Sequence, residues 1–290
     1  MMTLELRVRE ARSSRVRRVL ARVTMGQVLL GRVLVITGAS SGIGAATAVA
    51  AAKAGMDVVA NARRAERLEE LATRVRALGR EAKIVAGDVA EGGMSARLLD
   101  AAVTRFGRFD VVFANAGYGF KKPSHELSEA ELRRLFDVNF FAAVNLLCEA
   151  ARRLLAARSP GHLLMCSSAL SKFTLKNYAA YSATKAAQNH FCRAMRMELR
   201  HRGIEVSSVH PVTTATEFFA HAAEHEGEDP VRAAGSAPRW MVQSPERVAA
   251  AIVRCLRRPK PEVWTSPGVR LLAGLVTAFP RLLDLVGQRA

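Results

Sequence analysis

The segment that most constrains this chain is Val33-Leu34-Val35-Ile36, followed directly by Thr37-Gly38-Ala39-Ser40-Ser41-Gly42-Ile43-Gly44 and an alanine-rich stretch from Ala45 to Ala54. A short apolar run closed by glycine reads as a strand buried on both faces, the kind found in parallel sheets. The alanines that follow favour a helix. Strand, glycine turn and helix start together aim free backbone N–H groups and a positive dipole end at an anion, above all a diphosphate. Gly38 is expected to make the tight turn, Gly42 to let phosphates approach the backbone, and Gly44 to let the helix pack on the strand. Ser40, Ser41 and Ile43 belong to the same expected contact loop. The spacing is Gly-x-x-x-Gly-x-Gly, not the commoner Gly-x-Gly-x-x-Gly. The same glycines also suit an ordinary strand-to-helix turn.

The rest of the chain repeats the alternation. Apolar runs at Val58 to Ala60, Ala82 to Ala86, Phe109 to Ala114, Leu163 to Cys166 and Val206 to Val209 are separated by Ala- and Leu-rich helical segments. That order predicts a doubly wound α/β fold of three layers. At 290 residues, half of them hydrophobic, the chain can bury one large core. Cys148, Cys166, Cys192 and Cys255 sit in apolar or helical surroundings without metal-ligand spacing. Reduced core thiols, a reducing compartment and no metal site are the expectation.

Tyr181-Ser182-Ala183-Thr184-Lys185 puts a phenol and an ammonium four residues apart, on one face of a helix. A free tyrosine titrates about three units above neutrality, a gap of roughly 4 kcal/mol. One positive charge about 4 Å from the phenolate supplies on the order of 4 kcal/mol at an effective dielectric near 20. Lys185 alone is therefore expected to bring the phenol toward neutral pH. Alone, the pair would equally suit a surface helix.

The neighbours change that balance. Thr37-Gly-x-x-x-Gly-x-Gly44, Asn115-Ala116-Gly117, Asn139, Ser168 and Tyr181-x-x-x-Lys185 occur in that order, with Ser168 thirteen residues before Tyr181. Together they resemble the short-chain dehydrogenase/reductase family, over about Gly31 to Trp264. The resemblance implies a single Rossmann-like domain with a seven-stranded parallel sheet, and hydride transfer between a nicotinamide cofactor and a small-molecule alcohol or carbonyl. It implies that Tyr181 is the general acid, that Lys185 holds its pKa down and grips the nicotinamide ribose, and that Ser168 donates to the oxyanion, with Ser167 its rival. Asn139 matches the asparagine that holds a water linking Lys185 to solvent; a helix kink is its plainer role. Asp88, followed by Val89, matches the carboxylate that meets the adenine amino group. Asn115, Ala116 and Gly117 match the turn beneath the adenine ribose. Pro211, Thr214 and Thr216 match the nicotinamide contacts, although Val212 stands where the family has glycine. His210, next to that loop, is expected to pack or hydrogen-bond there and not to titrate in catalysis; His162, His190 and Tyr178 read as ordinary helix or turn residues.

Charge at the tip of the second strand bears on cofactor choice. The segment Asp57-Val58-Val59-Ala60-Asn61 runs on into Ala62-Arg63-Arg64. No carboxylate stands where one would accept from the 2′-hydroxyl of NAD, while Arg63 offers a planar fork to a 2′-phosphate. NADP(H) is expected over NAD(H), which stays open. Arg64 fits that role and also the start of a solvated helix from Arg64 to Leu78.

Three further regions complete the reading. Residues 1–30 form a basic extension: seven arginines and two glutamates fall in the first 24 residues, so the net charge of +17 becomes +12 without them. Val16, Val19, Leu20 and Val23 give it helical spacing, and Met25 is an alternative start. The catalytic domain spans 31–266, and the resemblance implies a substrate lid at 213–243, whose Phe218, Phe219, Trp240 and Met241 would suit a lipophilic substrate or anchor the lid to the core. Residues 267–290 form an apolar helical extension, with Leu271, Leu272, Leu275, Val276, Phe279, Leu282, Leu283 and Val286 at helical intervals from Val269 to Val286. Arg270 and Arg281 leave it too short to span a bilayer, and Pro280 is expected to kink it. Docking on its own domain or a sister subunit is one role; lying in a membrane interface is the other. The resemblance implies a homodimer or homotetramer; a cytoplasmic protein, peripheral to the inner face of the membrane under the second role, is expected, and nothing suggests a nucleic-acid module. Two alternatives stay open: reduction of 3-oxoacyl thioesters on an acidic carrier protein, and a non-catalytic or membrane-associated NADP-sensing relative.

Overall fold

Val33, Leu34, Val35 and Ile36 point alternately to the two faces of their strand, and all four are buried, so their sheet is covered on both sides. In the computed structural model, which describes residues 28–212 and 242–281, this strand is β1 (Val33–Thr37). The chain continues through α1 (Gly42–Lys53), β2 (Asp57–Ala62), α2 (Ala65–Arg76), β3 (Ala82–Ala86), α3 (Met94–Phe106) and β4 (Val111–Ala114). Then follow α4 (Glu129–Phe136), a π-helical turn (Asp137–Phe141), α5 (Ala142–Ala156), β5 (Gly161–Cys166), α6 (Ala179–Leu199) and β6 (Ile204–His210). The described chain closes with α7 (Pro245–Arg257), β7 (Glu262–Trp264) and α8 (Pro267–Ala278).

The described strands form one seven-stranded parallel sheet in the order β3-β2-β1-β4-β5-β6-β7. The expected α/β, doubly wound, Rossmann-like fold is therefore the one observed. Leu34, Ile36, Val58 and Ala60 pack under α1, α2 and α7 through Ala48, Leu68 and Ile252. Val33, Val35, Val59 and Val112 pack on the other face under α3, α5 and α6 through Leu98, Leu147 and Met195. Each such valine, leucine, isoleucine or methionine side chain contributes about 1.5–3 kcal/mol when fully buried.

The strand order reverses at β1, which pairs with β2 on one side and β4 on the other. Chains leaving β1 and β4 at their C-terminal ends therefore diverge and open a crevice, the usual ligand position in such sheets. Two helices differ from expectation. α1 begins at Gly42, within the glycine turn itself and ahead of the alanine run. α8 begins at Pro267, where Ser266 accepts from the Val269 N–H at 3.4 Å, and it ends at Ala278. Pro280 ends the helix instead of kinking it, because the residue before a proline is pushed out of the α region. β7 is three residues long and carries no pattern that would single it out. Residues 1–27 of the basic extension, most of the lid and the stripe positions Leu282, Leu283 and Val286 lie outside the described residues. Among the described residues no helix is long and apolar enough to cross a membrane.

Candidate active site

The glycine turn is shaped by close approach. Gly38 (φ +67°) and Gly42 (φ +53°) adopt left-handed backbone, which favours glycine. A Cβ on Gly38 would lie 2.8 Å from Ala116 Cα, and one on Gly44 would lie 2.1 Å from the Gly38 carbonyl oxygen. Neither position tolerates a side chain. Ser41 precedes α1 in extended conformation and its side chain makes no cap bond, which leaves the helix start suited to an external anion. The turn after β4 is fastened to this loop: Asn115 Nδ2 donates to the Thr37 and Gly38 carbonyls at 3.0 and 3.2 Å. Thr37 Oγ1 accepts from the Asn115 and Ala116 N–H groups at 3.0 and 3.1 Å. Val89 lines a small cavity with Thr37, Ala116 and Val138.

The second constellation lies at the ends of β5 and α6. Helical spacing puts Tyr181, Thr184, Lys185 and Gln188 on one buried face of α6. Ser168 Oγ accepts from the Leu170 N–H at 3.1 Å and is hydrogen-bonded to the Tyr181 phenol. Ser167 Oγ instead donates to the Lys185 carbonyl at 3.0 Å, so the rival serine is committed to the α6 backbone. Asn139 sits in the π turn and is wholly buried. Its Oδ1 accepts from the Tyr118 N–H, and its Nδ2 donates to the Tyr118 carbonyl, both at 2.9 Å. Nδ2 also reaches Thr184 Oγ1 at 3.1 Å, which ties the π turn to α6. The Asn139 carbonyl accepts from Gln188 Nε2. A Cβ on Gly117 would lie 3.0 Å from Asn139 Oδ1 and 3.4 Å from Lys185 Nζ, so this glycine gives the amide and the ammonium their room.

The sequence model of the family described as short chain dehydrogenase matches residues 32–227. The chain belongs to the short-chain dehydrogenase/reductase family. It is 32% identical over 263 residues to the uncharacterized oxidoreductase YxnA of Bacillus subtilis, covering 90% of this chain and 72% of that one. It is 36% identical over 231 residues to cis-4-hydroxycyclohexanecarboxylate dehydrogenase of Sinomonas cyclohexanicum, covering 79% of this chain and 90% of the other. In fold it is similar to a short chain dehydrogenase/reductase from Burkholderia phymatum in complex with NAD. That likeness has a TM-score of 0.79 at 23% identity, over 89% of this chain and 96% of the other. As a short-chain dehydrogenase/reductase the chain is an oxidoreductase of a family that uses NAD(P)(H).

Charge in this short-chain dehydrogenase departs from the expectation for Tyr181 and Lys185. Lys185 Nζ donates to the Cys166 carbonyl at 2.8 Å and lies 5.5 Å from the Tyr181 ring centroid. Its hydrogen bond goes to the β5 backbone. Burial therefore dominates at Tyr181 and pushes the phenol above its ordinary value of 10, and the Ser168 bond only partly offsets this. Burial also lowers the Lys185 ammonium to about 8. The spacing argument placed the ammonium on the correct face but could not fix its direction.

At the adenosine end, Arg63 is exposed at the tip of β2. Arg64 Nη2 donates to Ser40 Oγ at 3.1 Å, so it folds back onto the glycine loop and does more than open a solvated helix. Asp57, at the far end of β2, is held by Arg80 at 2.6 Å. Asp88 accepts from the Ala90 N–H at 2.9 Å and forms an ion pair with Arg134 of α4. Arg134 was not marked by any sequence pattern, being one of two adjacent arginines on an amphipathic helix. Gln188 was equally hidden on α6. Pro211 accepts from the Ala169 N–H at 3.0 Å; Thr214 and Thr216 lie outside the described residues, as do Phe218, Phe219, Trp240 and Met241.

Proposed function

We propose that this chain is an NADP(H)-preferring oxidoreductase that interconverts a carbonyl and its alcohol, with Tyr181 as proton donor and Ser168 as hydrogen-bond donor to the reacting oxygen. The observation that carries this reading is the hydrogen bond between the buried Ser168 hydroxyl and Tyr181 phenol, with the Lys185 ammonium against the tyrosine ring. When bound, the nicotinamide supplies or accepts the hydride. The chain's own groups do the rest. A phenol raised above 10 by burial is fully protonated at neutral pH, so the resting protein holds the acid form that reduction of a carbonyl needs. Ser168 stabilises the developing oxyanion. Lys185 keeps a cation beside the ring, and Asn139 fastens the π turn to α6.

The residues present fit the cofactor. Gly38, Ser40, Ser41, Gly42, Ile43 and Gly44 would hold the diphosphate against the start of α1. Asp88 and Val89 would meet the adenine, Asn115, Ala116 and Gly117 its ribose, and Lys185 and Pro211 the nicotinamide half, joined by Thr214 and Thr216. Arg63, with Arg64 on Ser40, supports the 2′-phosphate. A lipophilic substrate is supported by Tyr178, whose ring stands edge-on to Tyr181 at 6.4 Å, and by the exposed Leu175 beside it. Exposed Phe141 and Met197 support assembly as a homodimer or homotetramer. The test is NADPH oxidation against a panel of ketones, aldehydes and oxoacyl thioesters. Turnover of free ketones carries the reading. Turnover only of carrier-bound thioesters selects the 3-oxoacyl alternative, and cofactor binding without any turnover selects the non-catalytic one.

Peripheral membrane contact is the second reading, and α8 favours it. Only Val269, Ala273 and Val276 face inward, while Leu271, Leu272, Leu275 and Phe279 are exposed beside Arg270. Flotation with anionic but not neutral vesicles, abolished by deleting residues 268–290, is the expected result; a truncated protein that aggregates instead assigns α8 to subunit or core packing.

A further inference from the structure

Ser168 projects from a short 3-10 turn, Ala169–Ser171, and what holds that turn lies across the sheet. His210, the last residue of β6, is wholly buried. It pairs in register with Trp264 of β7, and the two rings stack with centroids 4.6 Å apart and planes 8° from parallel. Nδ1 lies 3.0 Å from the Ser168 carbonyl oxygen and 3.1 Å from Ser171 Oγ, and Nε2 lies 2.8 Å from Ser208 Oγ. A carbonyl can only accept. The bond to Ser168 therefore assigns the ring proton to Nδ1, and bare Nε2 accepts from the Ser208 hydroxyl. The Ser168 carbonyl also accepts from the Ser171 N–H at 3.1 Å, and Ala169 N–H donates to Pro211 at 3.0 Å. Behind the stack, Glu262 accepts from Trp264 Nε1 at 2.9 Å and from Lys172 at 2.7 Å.

We propose that His210 is a positioning residue: by donating from Nδ1 to the Ser168 carbonyl, it fixes the peptide that aims the Ser168 hydroxyl at Tyr181 and the reacting oxygen. This rests on the reading of Ser168 given above. The Ser168 oxygen accepts from the Leu170 N–H while the hydroxyl bonds Tyr181, so its direction is set by where the backbone puts it. A displacement of about 1 Å in such a donor can cost on the order of 100-fold in rate. A buried histidine that merely filled space beside Trp264 would have no such effect on turnover.

Two substitutions separate these roles. His210→Phe keeps an aromatic ring on Trp264 and removes the donor; His210→Asn removes the ring and keeps an amide N–H near the Nδ1 position. Both are measured in the full chain by turnover of the best ketone of the panel, NADPH affinity, thermal midpoint and amide hydrogen exchange over residues 168–172. His210→Phe is expected to lower kcat by about 10- to 100-fold with KM and NADPH affinity within about threefold, and to speed exchange in the turn. His210→Asn is expected to restore kcat to within about fivefold of the parent, despite a lower midpoint. In a Ser168→Ala background, His210→Phe should add less than about twofold, since its effect travels through the missing hydroxyl. Unchanged kcat and exchange in His210→Phe overturn the proposal, as does an equally large loss in both variants or in the Ser168→Ala background. If Ser168→Ala itself keeps full turnover, the reading of Ser168 fails and takes this one with it; loss in Ser168→Ala with none in His210→Phe sinks this proposal alone. Should His210→Phe not fold, Ser208→Ala decides: it removes the hydroxyl that keeps the proton on Nδ1, and lowered kcat with faster turn exchange supports the role while parental values reject it.

Discussion

The two rims of the crevice are built by different means. On the adenosine side, Arg63 is exposed and the Asp88–Arg134 pair is half in water, its side chains 22% and 48% exposed. On the catalytic side, Asn139, Thr184, Lys185, Gln188 and His210 are buried, and each makes a hydrogen bond. Surface ion pairs contribute about 0–1 kcal/mol, whereas a buried polar group left unsatisfied costs about 1–3 kcal/mol. The first rim can change its charges at little cost to the fold. The second is fixed by a network in which each member constrains the next. Cofactor choice and rate are therefore expected to respond to mutation in separable ways.

Tyr181→Phe is the strongest test of that separation. It removes one oxygen from the buried rim and touches nothing on the other. Turnover should fall by about 100- to 10,000-fold, the range for a positioned proton donor, with NADPH affinity nearly unchanged by fluorescence titration. Retention of more than about a tenth of parental turnover would falsify the proton-donor role. A large loss of NADPH affinity would show instead that the two rims are not independent.

The outcome at Tyr181 also shows what the sequence can carry. Periodicity located β1 and the glycine turn because Val33–Ile36 alternate faces and Gly44 has no room for a Cβ, both local facts. It located Tyr181 and Lys185 on one face for the same reason. It could not show that Lys185 Nζ donates to the Cys166 carbonyl, nor that burial outweighs the ammonium at the phenol, because both depend on β5, whose Cys166 lies 19 residues from Lys185 in the chain. Arg134, and the Ser168 carbonyl as the partner of His210, escaped for a related reason: each contact is made across more than 40 residues, with no spacing rule to mark it. Of the catalytic shell, the residue types were legible and the directions of their side chains were not.

A second test uses pH on the buried side. Burial alone would raise the Glu262 carboxyl, but the bonds from Lys172 and Trp264 prevail and hold it near 2, below its ordinary 4.5. A carboxyl lowered on folding adds stability that is fully present above pH 4.5 and is lost as pH falls from 4.5 toward 2. That contribution is roughly 2–3 kcal/mol. Glu262→Gln should therefore lower the thermal midpoint at pH 7 and flatten its fall in acid. An acid limb identical to the parent's would mean that the pair does not brace the wall behind His210.

Arg63→Ala probes the exposed rim directly. If the guanidinium grips the 2′-phosphate, NADPH should weaken by about tenfold or more while NADH hardly changes, since only one cofactor carries that group. Most of the difference should vanish in high salt, because an exposed contact is screened. Stability should not move. Equal weakening of both cofactors would reassign Arg63 to shaping the β2 tip, and Arg64 on Ser40 would become the stronger candidate for the phosphate.

The smallest effect is expected at Arg134, and it sharpens the same contrast within one rim. Arg134 holds Asp88 by an ion pair that is partly in water, so Arg134→Gln should change stability by no more than about 1 kcal/mol. It also releases the carboxylate that the family reading assigns to the adenine amino group. Adenine is common to both cofactors. NADPH and NADH affinity should therefore shift together, by about threefold or less, where Arg63→Ala splits them. Isothermal titration of both cofactors against both variants gives four numbers that must fall into that pattern. If Arg134→Gln discriminates between NADPH and NADH as strongly as Arg63→Ala does, the guanidinium of α4 also reads the phosphate, and the 2′-phosphate site extends across the crevice from β2 to α4.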